Sequence, residues 1–320
     1  MTGQGRSDPE TCGALTLAHL SDPHLPLPAP VPWQTVLNKR ALSLLSWHRK
    51  RRHHHRPEIL ASLIADLKTH HPDMIAVTGD LTNLGLAQEY RAARLWLESL
   101  GEPGRVMVIP GNHEALIAGA WEAGAPEWRP YWQGDGAPYR ACVSNAFPAL
   151  RQRGPLALIS VSSAIATAPA LASGAVGAAQ LARLAPMLRA ARDAGLCRVL
   201  MIHHPPLDGT VSARKALRDG AALRAVLQAE GVELVLHGHS HRSHHQTLET
   251  RDGPVPIIGV PSASSRHPEA AAYHLYHIHP IAGGWEIDVA ARRLGPAGEM
   301  EPGLRTRLTL PRAHADCAPL

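Results

Sequence analysis

The feature that most constrains this fold is a set of five apolar runs, each ending in a turn that carries imidazole, carboxylate or amide side chains. In the central run, Val108-Ile109 leads into Pro110-Gly111-Asn112-His113-Glu114. The other four are Leu15 to Leu20 before Ser21-Asp22-Pro23-His24, Met74 to Val77 before Thr78-Gly79-Asp80, Arg198 to Ile202 before His203-His204, and Leu234 to Leu236 before His237-Gly238-His239-Ser240-His241. Short apolar runs of this kind indicate buried strands, and loops at one edge of the sheet bind ligands in layered α/β folds. We therefore expect an α/β protein whose five turns converge on one site.

The length and composition fit one large globular domain. The chain has 320 residues, of which 45% are hydrophobic and 18% charged, so it can bury a sizeable core. It contains no run of about 20 apolar residues, the length that a membrane-spanning helix needs. Residues 1–11 are polar and lack the apolar segment of a secretory signal. We therefore expect a cytoplasmic protein.

The positive charge of the chain is concentrated in residues 39–56. This stretch holds seven Lys and Arg residues and no acid, which leaves 25 cations against 27 acids elsewhere, a net charge of −2. It overlaps Trp33 to Trp47, whose apolar residues recur at helical spacing. Two interpretations stay open for residues 33–56: an interfacial helix lying on an anionic membrane surface at the inner face, or an ordinary amphipathic helix capping the domain. His53 to His55 are expected in a solvated loop.

The rest of the chain alternates between helical and strand-like patterns. Helices are expected from Pro57 and over residues 86–100, 180–194 and 218–230, and further strands over residues 156–160, 257–260, 273–278 and 285–290. The tail that follows Arg293 is rich in Pro and Gly, and we expect it to be poorly ordered. This organisation predicts a single domain over residues 1–294 and a tail over 295–320.

Residues 115–154 are expected to form an irregular insert that is rich in aromatic side chains. These side chains are Trp121, Trp128, Tyr131, Trp132 and Tyr139. Two interpretations stay open here as well: the rings line a substrate pocket next to the central turn, or they form a small core beneath a long loop.

The residue types in the five turns are those of a catalytic metal centre. Carboxylates and imidazoles bind borderline and hard divalent ions, and the four cysteines, Cys12, Cys142, Cys197 and Cys317, are too scattered for a structural zinc site. Asp22 and His24 are two residues apart and can face one ion. His239 and His241 have the same spacing, so each can serve a different ion. A carboxylate such as Asp80 can bridge two ions. Two divalent ions carry more positive charge than the carboxylates of Asp22 and Asp80 neutralise, so the site would attract phosphate.

The five turns together resemble the calcineurin-like metallophosphoesterase family. The pattern D-x-H, G-D, G-N-H-[DE], H and G-H-x-H is met in order by Asp22-Pro23-His24, Gly79-Asp80, Gly111-Asn112-His113-Glu114, His203 and Gly238-His239-Ser240-His241. The resemblance covers residues 15 to 241. It implies a four-layer αββα sandwich with mixed sheets, and residues 25–57 and 115–154 would then be two inserts near the site.

The resemblance also implies a binuclear metal site and a role for each matched residue. One ion is held by Asp22, His24, Asp80 and His241, and the other by Asp80, Asn112, His203 and His239. A metal-bound hydroxide attacks phosphorus, while His113 contacts the phosphoryl oxygen or protonates the leaving group, so Asp80, Asn112 and His113 are the expected catalytic residues. The two ions are expected to be Mn²⁺ or Fe²⁺/Fe³⁺, and Zn²⁺ also suits the ligand set. Of the remaining polar residues, His204, His237, His244 and His245 are not expected to bind metal, and Glu114 is expected to support the turn.

The substrate is less constrained than the chemistry, because this kind of centre serves many phosphoric esters. The chain resembles the bacterial branch of the family that includes cyclic-nucleotide phosphodiesterases and UDP-2,3-diacylglucosamine pyrophosphatases. The amphipathic, polybasic insert favours a phosphodiester or pyrophosphate in a lipid-linked or membrane-proximal substrate such as a UDP-diacyl sugar. A soluble 3′,5′-cyclic nucleotide phosphodiesterase and a non-catalytic, metal-stabilised scaffold are the alternatives. Nucleic acid is the less favoured partner, because no aromatic run suited to stacking on single strands accompanies the basic stretch.

Overall fold

The computed structural model describes residues 13–28, 30–136 and 143–311. The strands are β1 (Leu15–Leu20), β2 (Met74–Val77), β3 (Val106–Val108), β4 (Ala149–Arg153), β5 (Leu156–Ser160), β6 (Cys197–Met201), β7 (Leu234–His237), β8 (His244–Thr250), β9 (Gly253–Gly259), β10 (Ala272–Ile281), β11 (Gly284–Leu294) and β12 (Met300–Pro311). The α-helices are α1 (Lys39–Ser46), α2 (Arg52–His54), α3 (Pro57–Thr69), α4 (Ala87–Leu100), α5 (Ala120–Gly124), α6 (Arg129–Trp132), α7 (Ala178–Asp193) and α8 (Gly220–Glu230).

The strands form two mixed six-stranded sheets. The first has the order β12-β11-β10-β1-β2-β3, in which β1, β2 and β3 are parallel and β10 to β12 are antiparallel. The second has the order β4-β5-β6-β7-β9-β8, with a parallel centre and antiparallel edge strands. The parallel centres place the ends of β1, β2, β3, β6 and β7 where ligand-binding loops occur in layered folds.

The two sheets share one core, and helices cover their outer faces. Along β5 and β6, Leu158 and Val199 belong to the main core, whereas their neighbours Ile159 and Leu200 pack in a second cluster. This alternation is the period of two that a strand requires. The second cluster includes the buried faces of α7 and α8, and those of α3 and α4 join the main core. The predicted α/β fold with four αββα layers and mixed sheets is confirmed.

Most helices begin and end within a few residues of the predicted positions. Helix α3 starts at Pro57. Proline suits the first turn of a helix, because the N–H groups there make no hydrogen bond within the helix and proline has none. The helix buries an apolar stripe that includes Leu63 and Leu67. Helix α4 likewise buries Tyr90 and Leu97. No helix in the described ranges is both long enough and apolar enough to cross a membrane.

The basic stretch differs from its predicted structure. The expected helix from Trp33 to Trp47 is divided into a 3-10 turn, Trp33–Val36, and α1, whose amino terminus is capped by the side chain of Asn38. The helical path then continues through a π-helical turn, Trp47–Arg51, into α2, so most of the polybasic run is helical rather than a loop. His53 and His54 are exposed as expected, but His55 is half-buried. The prediction of a solvated loop is therefore wrong: His53 and His54 are solvated but belong to α2, and His55 is half-buried.

The tail beyond Arg293 contains an ordered strand, contrary to expectation. Strand β12 pairs antiparallel with β11 and forms the edge of the first sheet, with Trp285 opposite Leu310 and Ile287 opposite Leu308. Leu310 is buried at this edge. The prediction of a poorly ordered tail is wrong for residues 300–311, and residues 312–320 lie outside the described ranges.

The aromatic side chains of the 115–154 insert belong to the main core. Trp121, Trp128, Tyr131 and Trp132 are all buried. The indole N–H of Trp128 donates to the backbone oxygen of Tyr90 at 2.9 Å, which satisfies the polar atom of a fully buried ring. The core interpretation is confirmed for these four residues, whereas Tyr139 lies outside the described ranges.

Candidate metal centre

Two glycines allow the turns after β2 and β3 to lie against each other. A Cβ atom on Gly111 would stand 2.2 Å from Oδ1 of Asp80, and one on Gly79 would stand 2.6 Å from the backbone nitrogen of Gly111. Gly79 also has φ of +96°, which disfavours any other residue. The glycines of the G-D and G-N-H segments are therefore required by the close approach of the two turns.

The backbone of the turns is held in an unusual conformation. Seven non-glycine residues in the described ranges have a positive φ, and five of them are predicted ligands: Asp22, His24, Asp80, His239 and His241. A left-handed conformation costs a residue with a Cβ atom about 1–2 kcal/mol, and such strain is concentrated at functional sites. Hydrogen bonds between turns maintain it, such as those from the backbone nitrogens of Asp22 and His24 to the oxygens of Gly79 and Asp80, both 3.0 Å.

The first group of predicted ligands converges around Asp22. Nε2 of His241 lies 3.1 Å from Oδ1 of Asp22 and 3.4 Å from Nε2 of His24. The other carboxylate oxygen of Asp22 accepts hydrogen bonds from the hydroxyl of Ser21 at 2.6 Å and the backbone of His239 at 3.0 Å. Oδ2 of Asp80 completes the group at 3.8 Å from Nε2 of His24.

The second group converges around His203. Its Nε2 lies 3.4 Å from Oδ2 of Asp80, 3.3 Å from Oδ1 of Asn112 and 3.2 Å from Nδ1 of His239. One oxygen of Asp80 thus faces both groups, while its other oxygen accepts a hydrogen bond from the backbone of His113 at 2.9 Å. The structure brings all seven predicted ligands together, and it places Asp80 where a bridging carboxylate would stand.

The donor atoms fit metal ions in spacing and in protonation. Donors bound at about 2.0–2.1 Å to one ion lie roughly 3.0–3.4 Å apart. Most of these atoms do, whereas Nε2 of His24 lies 3.8 Å from Oδ2 of Asp80. Nδ1 of His203 lies 2.7 Å from the oxygen of Thr78, and Nδ1 of His24 lies 3.3 Å from that of Thr82. Because a carbonyl oxygen only accepts, each Nδ1 carries a proton, and each imidazole in its neutral form offers its Nε2 lone pair to the cluster.

The electrostatics of the metal-free cluster favour one shared proton. Burial opposes charge on His203, but the carboxylates of Asp80 and Asp22 outweigh it and raise the pKa of His203 to about 9. Burial would raise the pKa of Asp80, yet His203 and the other imidazoles hold it well below its usual value. Burial, together with neighbouring imidazoles, lowers the pKa of His24 and His239 well below the ordinary value. These two imidazoles are neutral, as metal ligands must be.

Glu114 supports the central turn, as predicted. One of its carboxylate oxygens accepts from the backbone nitrogens of Asp80 at 2.9 Å and Gly111 at 2.7 Å. The other accepts from the backbone nitrogen of Thr82 at 2.8 Å and from its hydroxyl at 3.0 Å. Four donors converge on one buried side chain, which therefore fixes the relative position of the G-D and G-N-H turns.

His204, adjacent to a predicted ligand, is held by the protein itself. Its Nε2 lies 3.1 Å from the backbone oxygen of Ala172, and its Nδ1 lies 2.7 Å from the hydroxyl of Ser163. The ring packs against that of His239, with 4.4 Å between centroids. Both nitrogens of His204 have partners, which favours His203 as the ligand of this pair.

His113 stands beside the cluster with its proton position fixed. Its Nδ1 lies 2.7 Å from the backbone oxygen of Asn83 and so donates, which leaves Nε2 as an acceptor. That Nε2 accepts a hydrogen bond from Nη1 of Arg51 at 2.7 Å. Burial and the charge of Arg51 lower the pKa of His113 to about 4, so the resting imidazole is neutral.

Two residues of the basic stretch reach this site, and the sequence did not identify either. Arg51 contacts His113, and the ring of His55 packs on that of His24 with 4.4 Å between centroids. Nδ1 of His55 is held by the hydroxyl of Ser264 at 2.8 Å, and His55 forms with His24 and His241 one of the groups that could hold an ion. The sequence of this run could not identify them, because a run of Arg and His does not reveal which side chains face inward.

Fold and site together define a hydrolase that uses metal ions to cleave phosphoric esters. The family model of calcineurin-like phosphoesterases matches residues 15–243, and the chain therefore belongs to that family, whose members are binuclear metal enzymes. A search of curated proteins finds no significant match.

Solved structures share the fold at low sequence identity. A dimetal phosphatase from Danio rerio is 12% identical with a TM-score of 0.53, and the alignment covers 93% of this chain and 99% of that one. A purple acid phosphatase from yellow lupin (Lupinus luteus) is 13% identical with a TM-score of 0.56, and the alignment covers 97% of this chain. It covers 56% of the lupin chain, so this chain spans just over half the length of that relative.

Proposed function

We propose that this protein hydrolyses a phosphodiester or diphosphate bond in a lipid-linked substrate at an anionic membrane surface. A groove of about 280 Å³ carries the proposal. The groove is lined by Asn112 and His113 from the metal centre and by Leu42 from α1. A substrate with its phosphate beside Asn112 and His113 would therefore have α1 within the same groove.

The exposed apolar surface is concentrated next to this groove. Four of the seven large hydrophobic side chains exposed in the described ranges lie in the insert: Trp33, Leu37, Leu42 and Leu45, with 45–73% of each exposed. Residues 33–56 contain no acid. Arg49, Lys50 and Arg52 are exposed on the helical path that follows. An apolar face beside exposed cations complements an anionic bilayer, and we therefore commit to that partner.

Lys39 and Arg40, two other cations of the stretch, are engaged within the protein. Arg40 donates to the backbone oxygens of Leu84 and Gly85 at 2.7 and 2.6 Å, and Lys39 donates to the oxygen of Leu171 at 2.9 Å. These contacts attach α1 to the loops that border the metal centre. The proposed membrane contact and the groove therefore belong to one connected part of the fold.

The residues of the site divide the chemistry between them. Asp22, His24, Asp80 and His241 would hold one ion, and Asp80, Asn112, His203 and His239 the other. When bound, two divalent ions neutralise phosphoryl oxygens and activate a water molecule. The oxygen of Asn83 fixes the ring of His113 and leaves its Nε2 beside the groove. Nε2 carries no proton at rest, so His113 would protonate a leaving group only after Nε2 has taken up a proton, for example from the activated water.

We infer that the ions are Mn²⁺ or iron, with Zn²⁺ also compatible. The donors are imidazole nitrogens and carboxylate or amide oxygens, which these metals share. Cys197, the one cysteine in the described ranges, is buried in the main core and belongs to none of the groups that could hold an ion. Reconstitution of metal-stripped protein with each ion decides between them, since the native pair should restore the highest turnover.

The experiment that tests the function compares three substrates on metal-stripped protein to which Mn²⁺ is returned. They are bis(p-nitrophenyl) phosphate, 3′,5′-cyclic AMP and a UDP-linked diacyl sugar presented in anionic vesicles. We expect metal-dependent cleavage of the generic diester and a higher kcat/KM on the vesicle-borne diphosphate. Preference for cyclic AMP would replace the lipid-linked substrate with a soluble nucleotide, and absence of cleavage with two ions bound would indicate a scaffold.

A further inference from the structure

The guanidinium of Arg51 lies inside the site without an anionic partner. It donates to Nε2 of His113, and no carboxylate in the described ranges forms an ion pair with it. Burial lowers its pKa against the opposing effect of Asp80 and Asp22, but a guanidinium stays charged in proteins. A half-buried cation with five N–H donors and one imidazole acceptor has unused capacity for an anion.

A second cation lines the same groove. Nζ of Lys39 donates to the hydroxyl of Thr167 at 2.6 Å and to the oxygen of Leu171 at 2.9 Å, and its third N–H has no partner among these contacts. Ser43 and Ser46 line the groove as well, and none of its lining residues is acidic. The groove thus offers two cations and two hydroxyls to one occupant.

We propose that this groove binds a second phosphate of the substrate through Arg51, so that the enzyme cleaves a diphosphate rather than a single-phosphate diester. The inference rests on the proposed function, and it names the substrate class. Two divalent ions already neutralise the phosphoryl group under attack. A cation beyond them, bound to His113 beside the metal centre, fits a leaving group that is itself a phosphate. The planar fork of Arg51 suits two phosphate oxygens at once.

The test measures hydrolysis of bis(p-nitrophenyl) phosphate and of P1,P2-bis(p-nitrophenyl) diphosphate, which differ by one phosphate. The loss of a hydrogen bond to a charged group costs about 10- to 100-fold in affinity. We expect Arg51→Gln to raise KM for the diphosphate by about 30-fold and to change KM for the single-phosphate diester much less. Lys39→Gln should shift the same ratio in the same direction, and Arg51→Lys should have an intermediate effect.

Matched controls come from the same helical path. Arg52→Gln and Lys50→Gln remove exposed cations that are close in sequence to Arg51, and neither should change the ratio in solution. Equal losses on both substrates in Arg51→Gln would overturn the inference, since Arg51 would then serve the phosphoryl group under attack. An unchanged KM for both would overturn it as well. Thermal melts of each variant separate these results from misfolding.

A binding measurement separates this inference from the proposed function. Calorimetry on Mn²⁺-loaded protein compares imidodiphosphate, which resists hydrolysis, with orthophosphate. We expect Arg51→Gln to weaken imidodiphosphate binding by about 30-fold and orthophosphate binding by far less. If that difference is found in a protein that hydrolyses none of the substrates, the proposed function is wrong, but the inference that the groove binds a second phosphate is supported. If the protein is active but Arg51→Gln weakens binding of the two anions equally, the inferred second phosphate site is wrong, and the proposed hydrolase function is unaffected.

Discussion

Asp80 is the residue on which the two halves of the metal centre depend. Its Oδ2 faces His24 at 3.8 Å and His203 at 3.4 Å, and its Oδ1 is fixed by the backbone of His113. We expect Asp80→Ala to lose both ions and to lower kcat on bis(p-nitrophenyl) phosphate at least about 1,000-fold, roughly 4 kcal/mol of activation free energy. Metal analysis by mass spectrometry and steady-state kinetics check this.

The control for Asp80 is a carboxylate of the protein surface. Glu249 is exposed on β8, and Glu249→Ala should leave both metal content and kcat within twofold of the parent protein. Retention of two ions per chain by Asp80→Ala would show that the carboxylate does not bridge, and the ligand assignment would then have to be redrawn.

His203 makes metal binding depend on pH. Its pKa is about 9 in the metal-free protein, so the imidazole is protonated at pH 7, whereas ligation needs the neutral form. Affinity for the ions should therefore rise between pH 7 and pH 9, by up to about tenfold per pH unit, and then level off. An NMR titration of the metal-free protein, with the resonance assigned through His203→Gln, should show a midpoint near 9.

The cause of this shift can be tested separately. Among the groups that raise the pKa of His203, the carboxylate of Asp80 contributes most, so Asp80→Asn should lower that pKa. The midpoint should then fall well below 9, since burial lowers the pKa and only Asp22 and the carbonyl of Thr78 still oppose it. A midpoint that stays near 9 in Asp80→Asn would mean that another group holds the proton.

At the scale of elements, the turns after β2 and β3 are joined through the carboxylate of Glu114. Glu114→Gln replaces one acceptor oxygen with an N–H₂ group that faces backbone donors, so buried donors lose their partner. We expect the free energy of unfolding of the metal-free protein to fall by about 2 kcal/mol. Urea unfolding measures the change, and Glu102→Gln, at an exposed position, is the control. Equal stabilities of the two variants would contradict the proposed support of the turn.

Helix α1 and the 3-10 turn before it present the exposed apolar side chains that we assign to a membrane. Leu37→Ser combined with Leu45→Ser removes two exposed apolar side chains that do not line the groove. Binding to vesicles with 30% phosphatidylglycerol should weaken at least about tenfold, because each leucine contributes on the order of 1 kcal/mol or more when it is buried. Hydrolysis of the soluble diester should stay within twofold. A sedimentation assay measures the binding.

The matched control for α1 removes equally exposed leucines elsewhere. Leu95 and Leu304 are 67% and 64% exposed, on α4 and β12. Leu95→Ser with Leu304→Ser should leave vesicle binding unchanged. If both double variants lose binding alike, hydrophobicity in general and not this face drives the interaction, and α1 is then an amphipathic cap of the domain.

Which elements the sequence revealed depended on whether their signal was local. The runs before the five turns are buried strands because they are continuous and apolar, and the stripe of α3 is readable because its period is helical. Strand β8 is mostly polar, and β12 contains Pro302 and Gly303. Both are edge strands that pair on one side, where such residues are tolerated, so their order comes from a partner distant in the chain.

The same distinction separates the residues of the site. The seven predicted ligands were found because each follows a strand in a characteristic spacing. Arg51 and His55 were missed, because their placement is set by contacts with distant residues: His113 for Arg51, and Ser264 and Ser265 for His55. Only the folded chain shows which members of the run from Arg49 to Arg56 face inward.

For the whole molecule, the distribution of charge suggests an orientation. Residues 39–56 carry seven of the 32 cations, and the rest of the chain has a net charge of −2. Of the seven, Arg49, Lys50 and Arg52 are exposed beside the apolar face of α1. An anionic surface would attract this side and repel the remainder, so the groove would face the bilayer.

This orientation predicts a strong dependence of membrane binding on salt. Each cation near an anionic surface contributes about 1 kcal/mol, and the Debye length falls from about 8 Å at 0.15 M salt to about 3 Å at 1 M. Affinity for phosphatidylglycerol vesicles should therefore drop by at least about 30-fold over that range, as three exposed cations are screened. Binding to neutral phosphatidylcholine vesicles should change little.

Two triple variants decide whether these cations are responsible. The first removes three exposed cations of the insert: Arg49→Gln, Lys50→Gln and Arg52→Gln. The second removes three exposed cations from other faces: Lys68→Gln, Arg91→Gln and Arg305→Gln. Both change the net charge equally, so a difference between them reports position and not total charge. The first should bind anionic vesicles weakly at every salt concentration, and the second should bind them like the parent protein. Equal salt dependence in the two variants would show that the molecule does not present this side to the membrane, and the lipid-linked substrate would lose its main support.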